Sequence, residues 1–140
     1  MSLIKEILIP LKNKPGQLSA VSDLMLLNGI KIIAFQVSNE GGTDRLRMVV
    51  NDPERALNVL RTAEYQAEEN QAIACRIPDH PGGLNAVLKP LKSADINIDF
   101  IYPIIGPGAA LIMGIDQIEK GLKLLNEYWI QILGDDVYKM

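Results

Sequence analysis

Residues 13–21 read NKPGQLSAV, and residues 79–87 read DHPGGLNAV, a recurrence at a shift of 66 residues. The register persists beyond this stretch in pairs of aliphatic residues: Ile30 and Ile96, Ile32 and Ile98, and, after one deletion, Leu57 and Leu122. A shift that is kept over most of the chain indicates an internal duplication. We therefore predict two copies of one structural unit, residues 1–69 and residues 70–140.

The composition excludes two classes of partner. Of the 140 residues, 48% are hydrophobic and 22% are charged, as in a soluble globular protein. The net charge is −3 and the basic residues are scattered, which is not the electrostatic pattern of a nucleic-acid-binding protein. The uncharged stretch from Ile101 to Ile115 contains prolines and glycines and is shorter than the roughly 20 residues of a membrane helix. We expect neither a nucleic acid nor a membrane as partner.

Reactive groups are sparse in this sequence. Cys75 is the single cysteine, which excludes an internal disulfide, and we expect it to pack in the core. His80 is the single histidine, and no nucleophile–base pair is evident, so the sequence does not predict an enzyme. We predict no cofactor and no metal. The amino terminus lacks the basic and apolar segments of a secretory signal, so a cytoplasmic location is expected.

Each copy shows the same order of secondary structure. In the first, alternation and β-branched residues predict strands at 4–11, 30–37, 45–50 and 65–70. Apolar residues at helical spacing predict a helix after residue 16 and another after Asp52-Pro53, which supply an N-cap and a first-turn proline.

The second copy repeats this order. It predicts strands at 73–77, 96–104, 109–115 and 129–133, with a turn at Gly106-Pro107-Gly108. Helical spacing follows residue 83, with Pro90 inside the helix. Asp116 to Glu119 resembles a capping box that opens the last helix. Residues 134–140 are expected to form a tail.

The order strand-helix-strand-strand-helix-strand favours a ferredoxin-like α+β unit. We expect two tandem βαββαβ units that form a joined antiparallel sheet with the helices on one face. The second strand of each unit lies at a sheet edge, and an apolar edge needs to be covered. The face without helices also carries apolar residues, among them Val49, Ile112 and either Leu8 or Ile9. Because a second chain could cover this face, we expect a homodimer.

These residues resemble the ACT domain, the amino-acid-sensing module attached to enzymes such as phosphoglycerate dehydrogenase and aspartokinase. The resemblance rests on a strand, then Asn/Asp-x-Pro-Gly-x-Leu opening a helix, then Ile-x-Ile entering the next strand. The resemblance covers essentially the whole chain, twice, so the chain resembles a stand-alone tandem ACT protein. It implies a regulatory protein that binds a small amino acid at the interface between ACT units and signals to a metabolic enzyme as partner.

The chemistry of the repeated loop suits a free amino acid. Backbone N–H groups at a helix start can hold its carboxylate, and Asn13 or Asp79 can accept from its ammonium. The resemblance also implies that this loop works, across the domain interface, with an Asn at the start of the second strand. That position is Asn97 in the second copy and Lys31 in the first, so only the second copy keeps the full polar pair. The predicted ligand-binding residues are Asn13, Pro15, Gly16, Gln17, Leu18, Lys31, Asp79, His80, Pro81, Gly82, Gly83, Leu84 and Asn97.

Simpler interpretations stay open. The Pro-Gly loops could be tight turns only, and Asn13 and Asp79 could be plain N-caps. His80 could be a solvated turn residue. Tyr128 and Trp129 are expected to cover the core, and Arg45 and Arg47 to form a solvated strand face. The alternative function is a structural regulatory subunit that binds a partner protein without a small ligand.

Overall fold

The computed structural model describes residues 2–106 and 108–140. Pro107 of the predicted turn lies outside the described residues. The strands are β1 (Ile4–Lys12), β2 (Ile32–Glu40), β3 (Thr43–Val50), β4 (Glu68–Arg76), β5 (Ile98–Pro103), β6 (Ala110–Ile115) and β7 (Ile132–Leu133). The helices are α1 (Gln17–Leu27), α2 (Pro53–Thr62), α3 (Gly83–Ser93) and α4 (Ile118–Glu127), followed by a 3₁₀ helix at Asp135–Lys139.

The chain divides into two compact units. The first unit comprises Lys5–Asn70 and Tyr138–Met140, and the second comprises Gln71–Val137 and the residues up to Ile4. In the first unit β3 lies between β1 and β2, and all of these pairs are antiparallel. In the second unit β6 lies between β4 and β5, and β7 pairs with the other side of β4. These orders are ferredoxin-like, and the predicted fold class is confirmed.

In each unit both helices cover one face of the sheet. The core of the first unit joins apolar residues of β1 and β3 to α1 and α2, and the core of the second joins β4 and β6 to α3 and α4. Val49 and Ile112 lie outside these two clusters, and both are fully buried in the single chain. The expectation that a second chain covers Val49 and Ile112 is therefore wrong.

Several element boundaries differ from the predictions, in the middle of the chain and after residue 129. The last predicted strand of the first copy and the first of the second form one strand, β4, which begins at Glu68 rather than at residue 65. β7 has only two residues. The predicted tail forms a 3₁₀ helix instead. Its Val137 is fully buried, and removing this apolar side chain from water stabilises the helix on the rest of its unit.

One predicted helix cap is confirmed and the other is wrong. Asp52 Oδ1 accepts the Arg55 N–H at 3.2 Å and caps α2. The residue before α4 is Gln117, with φ 45° and no side-chain cap, so Asp116 does not form the predicted capping box. Asp116 Oδ1 instead accepts the Asn97 N–H at 2.9 Å, because a neighbouring strand offers it a backbone donor.

The hydrogen bonds between Asp116 and Asn97 have a counterpart in the first unit, so the two copies also share this backbone geometry. In the second unit Asp116 N–H also donates to Asn97 O at 3.1 Å. In the first unit Lys31 N–H donates to Asn51 Oδ1 at 2.9 Å, and Asn51 N–H donates to Lys31 O at 3.0 Å. The start of β2 and the start of β5 are therefore clamped in the same way. Lys31 and Asn97 occupy equivalent positions.

Two predictions about surface residues are wrong. Arg47 is not part of a solvated face: its side chain is 16% exposed and its Nη1 donates to the fully buried Glu6 Oε2 at 2.6 Å. Trp129 does not cover the core and is 94% exposed, with Tyr128 beside it also exposed. Arg45 is exposed as predicted. Among the described residues, no helix has the length and apolarity to cross a membrane.

Candidate functional site

Both Pro-Gly loops are type II turns that lead directly into a helix. In the second unit the Gly83 N–H donates to His80 O at 2.9 Å, and Gly82 has φ 87° and ψ −2°. In the first unit the Gln17 N–H donates to Lys14 O at a longer 3.4 Å, and Gly16 has φ 86° and ψ −9°. A type II turn needs a positive φ at its third residue, which glycine supplies without steric cost.

The two helix starts lack side-chain caps. Gly16 and Gly82 are the cap residues of α1 and α3, and no side chain accepts from either helix start. Asn13 and Asp79 are therefore not N-caps, which corrects that interpretation. No acceptor meets the N–H groups of Leu84 and Asn85 in the part of the chain that the structure describes. Such donors, at the positive end of a helix dipole, suit an anionic group.

The second unit has an open cleft of about 830 Å³ at this loop. It is lined by the predicted residues Asp79, His80, Pro81, Gly82, Gly83 and Leu84, together with Ile77, Pro78, Asn85, Leu88 and Ala109. Six of the seven predicted residues of this copy thus share one cleft. The seventh, Asn97, lines a different cleft of about 540 Å³ with Lys92, Asp95 and Asp116.

The first unit has a corresponding cleft of about 670 Å³ with a different character. Among the predicted residues it contains Asn13 and Gln17, while Leu18 lines a smaller apolar groove with Phe35. Pro15 and Gly16 form the turn between them. The cleft also contains residues outside the predicted set: Pro10, Leu11, Lys12, Lys14, Gly42, Thr43, Glu64, Tyr65 and Gln66.

Some of the cleft residues outside the predicted set are close in sequence to predicted ones. Lys14 lies between the predicted residues Asn13 and Pro15, and Lys12 directly precedes Asn13. Glu64 has no such neighbour, because it follows α2 and only the fold brings it to the cleft. The result is a cleft lined by two lysines and one glutamate, residue types whose charges complement the carboxylate and ammonium of a free amino acid.

Lys31 and Asn97 are not neighbours of the loop in their own unit. Asn97 Nδ2 donates to Asp99 Oδ1 at 3.0 Å. Lys31 Nζ donates to the main-chain oxygen of Met140 at 2.6 Å, and this contact lies within the first unit. These two predicted residues therefore lie at the opposite end of each unit from the Pro-Gly turn, where the second strand begins.

His80 is held at the rim of its cleft. Its Nδ1 lies 2.8 Å from the carbonyl oxygen of Pro81. A carbonyl oxygen can only accept, so Nδ1 carries the hydrogen, and in the neutral ring Nε2 is left as an acceptor. This arrangement allows a hydrogen bond from a ligand N–H to Nε2.

The Cys75 thiol takes no part in acid–base chemistry near neutral pH. It lies on β4, fully buried, opposite Leu111 of β6 and Ile132 of β7. Burial raises the pKa of its thiol from 9.0 to about 12, which keeps it protonated and unreactive near neutral pH. Within residues 2–106 and 108–140, no group of three or more His, Cys, Asp or Glu side chains could hold a metal ion.

Gly83 is the most sterically constrained position of the loop. A Cβ built on it would lie 1.8 Å from the carbonyl oxygen of Pro78, which is a backbone atom and cannot move alone. We expect Gly83→Ala to lower the free energy of unfolding by about 2–3 kcal/mol, as an overpacked site does. Urea denaturation monitored by circular dichroism measures this difference.

Gly82→Ala is the matched control for Gly83→Ala. A Cβ on Gly82 meets no atom within 4 Å, so only its positive φ opposes the substitution, at about 1 kcal/mol. If Gly82→Ala were the more destabilising of the two, close packing of the loop against Pro78 would not be what constrains this turn.

Comparison with known proteins agrees with this geometry. The family model of the ACT domain pair matches residues 2–139. None of the curated proteins compared with the chain is a significant match. Among solved structures, the chain is similar to a protein from Bacteroides thetaiotaomicron, with a TM-score of 0.91, 24% identity and coverage of 99% of this chain and 97% of that one.

Two regulatory subunits of aspartate kinase also share the fold. The one from Thermus thermophilus has a TM-score of 0.61 and 15% identity, with 91% of this chain and 93% of that chain covered. The one from Thermus flavus has a TM-score of 0.58 and 15% identity, with 92% and 94% covered. At these identities the likeness concerns fold alone. Since the family model spans nearly all of its residues, the chain belongs to the ACT family and consists of an ACT domain pair.

Proposed function

We propose that this protein is a non-catalytic regulator that binds a small amino acid at its Pro-Gly turns and transmits the bound state to a partner enzyme. The observation that carries the proposal is the uncapped start of α3, where the N–H groups of Leu84 and Asn85 adjoin an open cleft beside Asp79. The two N–H groups can donate to a carboxylate, and the Asp79 carboxylate can accept from an ammonium. Both features of a free amino acid are matched within one cleft.

The first unit supports the same ligand class with different side chains. Lys12 and Lys14 supply positive charge for the carboxylate, and Glu64 supplies negative charge for the ammonium. The two clefts therefore differ in charge although their turns are alike. We expect them to differ in affinity or in the preferred side chain of the ligand, because each cleft offers different polar groups.

The proposed mode of action is a change in the distribution of conformations. A ligand that orders the turn and helix start in one state shifts the equilibrium toward that state, and a partner that prefers it reads the shift. We place the protein in the cytoplasm and propose that it acts as a homodimer. Exposed apolar residues at the edge of the first unit, Leu18, Phe35 and Val37, support the dimer, and sedimentation velocity measures it.

We expect at least one of the twenty amino acids to bind the native protein in isothermal titration calorimetry. Gly82→Asp should weaken that binding at least about tenfold, because a carboxylate at the start of α3 repels the carboxylate of the ligand. The substitution fits sterically, since a Cβ at Gly82 meets nothing within 4 Å. Absence of binding by all twenty amino acids would contradict the proposed ligand class.

Gly29→Asp is the control for this experiment. Gly29 also has a positive φ, 65°, and open space around a Cβ. Its equivalent in the second unit is already an aspartate, Asp95, with φ 56°. The control adds the same charge at another glycine of positive φ, after α1 instead of at the start of α3. It should leave the affinity unchanged, so a loss in both variants would indicate a general effect of charge.

Exposed aromatic residues favour the second candidate function, a regulatory subunit that binds a protein without a small ligand. Trp129 is 94% exposed at φ 63°, and the equivalent position in the first unit is Glu64, at φ 69°. A tryptophan in this place contributes little to the core and suits a protein interface. This candidate predicts no thermal shift with any amino acid, together with co-purification of a partner that Trp129→Glu abolishes.

A further inference from the structure

The segment Tyr138–Met140 lies on the first unit and engages Lys31, one of the predicted ligand-binding residues. Lys31 Nζ donates to the main-chain oxygen of Met140 at 2.6 Å. The hydroxyl oxygen of Tyr138 accepts the N–H of Lys5, at the beginning of β1, at 2.8 Å. Both contacts join the segment to Lys5–Asn70, whereas Val137, one residue earlier, belongs to the second unit.

The equivalent position in the second unit is not engaged in this way. Asn97 has the same backbone clamp as Lys31, but its side chain bonds to Asp99, only two residues away. The duplication therefore provides an internal comparison. Two equivalent strand starts carry different side chains, and Tyr138–Met140 contacts the one that is cationic.

The contact at Lys31 resembles the contact that a ligand or partner carboxylate would make. The clamp to Asn51 fixes the backbone from which the lysine side chain extends, so the ammonium has a restricted range. An oxygen atom of Met140 then occupies its hydrogen-bonding position. Lys31 and Lys139 are exposed, so the contact is bordered by water and is weak enough to be displaced.

We infer that Tyr138–Met140 is a displaceable strap that occupies one hydrogen-bonding position of the Lys31 ammonium and competes there with a carboxylate from another molecule. The strap itself does not depend on amino-acid binding. The competition takes place at the end of the first unit opposite the Pro-Gly turn, so it is separate from amino-acid binding in the cleft.

Lysine acetylation by sulfo-N-hydroxysuccinimide acetate, followed by peptide mass spectrometry, tests the strap without any ligand. In the native chain Lys31 should react about five-fold more slowly than Lys123, an exposed lysine of α4. One exposed hydrogen bond to a charged group supplies protection of about this size. A chain ending at Val137 should lose this protection. Equal rates of Lys31 and Lys123 in the native chain would overturn the inference.

Two further variants distinguish the strap from a general change in folding. Tyr138→Phe removes the hydroxyl acceptor of the Lys5 N–H and should give partial loss of protection at Lys31. Lys139→Gln changes an exposed residue within the strap and should leave protection intact. If Lys139→Gln exposes Lys31 as much as the truncation does, the two identified contacts do not hold the strap and the inference fails.

Discussion

Arg47→Ala is expected to lower the free energy of unfolding by about 3–5 kcal/mol. Glu6 lies on β1 with a fully buried side chain, and its Oε2 accepts from Arg47 Nη1 at 2.6 Å and from Asn70 Nδ2 at 2.8 Å. Removing the guanidinium takes away the positive charge that faces a carboxylate shielded from water. Urea denaturation at neutral pH measures the loss.

Arg45→Ala is the matched control on the same strand. Arg45 faces Glu40 at 3.8 Å with both side chains well exposed, so its removal should change stability by no more than about 0.5 kcal/mol. The double variant Glu6→Gln, Arg47→Met should recover most of what Arg47→Ala loses, because it removes both buried charges. Equal effects of Arg45→Ala and Arg47→Ala would contradict the role assigned to this ion pair.

The second large effect is a loss of stability at alkaline pH caused by Cys75. Its pKa is about 12 in the folded chain, above the ordinary value of 9.0, because burial disfavours the thiolate. Between these values the unfolded chain binds fewer protons than the folded one. The free energy of unfolding is therefore undiminished below pH 9 and falls by about 1.4 kcal/mol per pH unit as the pH rises toward 12.

Comparison with Cys75→Ala isolates this effect, because lysine and tyrosine titrations occur in both proteins. The difference in free energy of unfolding between the two should be constant from pH 7 to about 8.5. By pH 10.5 the native chain should have lost about 2 kcal/mol relative to the variant. A difference that stays flat to pH 10.5, or rapid alkylation of the native thiol at pH 8, would contradict burial of Cys75.

The unit fold could be predicted from sequence because its signals are local and occur twice. Alternation in β3, helical spacing in α1 and the Asp52-Pro53 start of α2 each depend on neighbouring residues. A weak pattern in one copy is supported by its counterpart at a shift of 65 or 66 residues. The type II geometry of the turns follows from Pro-Gly, since proline and glycine restrict or permit the required dihedral angles.

The predictions that failed concern residues whose partners are distant in sequence. Asp116 reads as a helix cap, but a backbone donor 19 residues earlier competes for its carboxylate. Arg47 reads as a solvated residue, but Glu6, on another strand, pairs with it. Trp129 reads as a core residue, but its backbone has a positive φ and its side chain points to solvent.

For the candidate site, the sequence by itself determined the two Pro-Gly turns and the residues adjoining them, because five consecutive residues suffice to form a turn and open a helix. Only the tertiary structure brought Glu64 to the cleft of the first unit and Met140 to Lys31. Those contacts join segments separated by about 50 and 109 residues. They depend on how complete elements pack, and no local pattern of residue types encodes that packing.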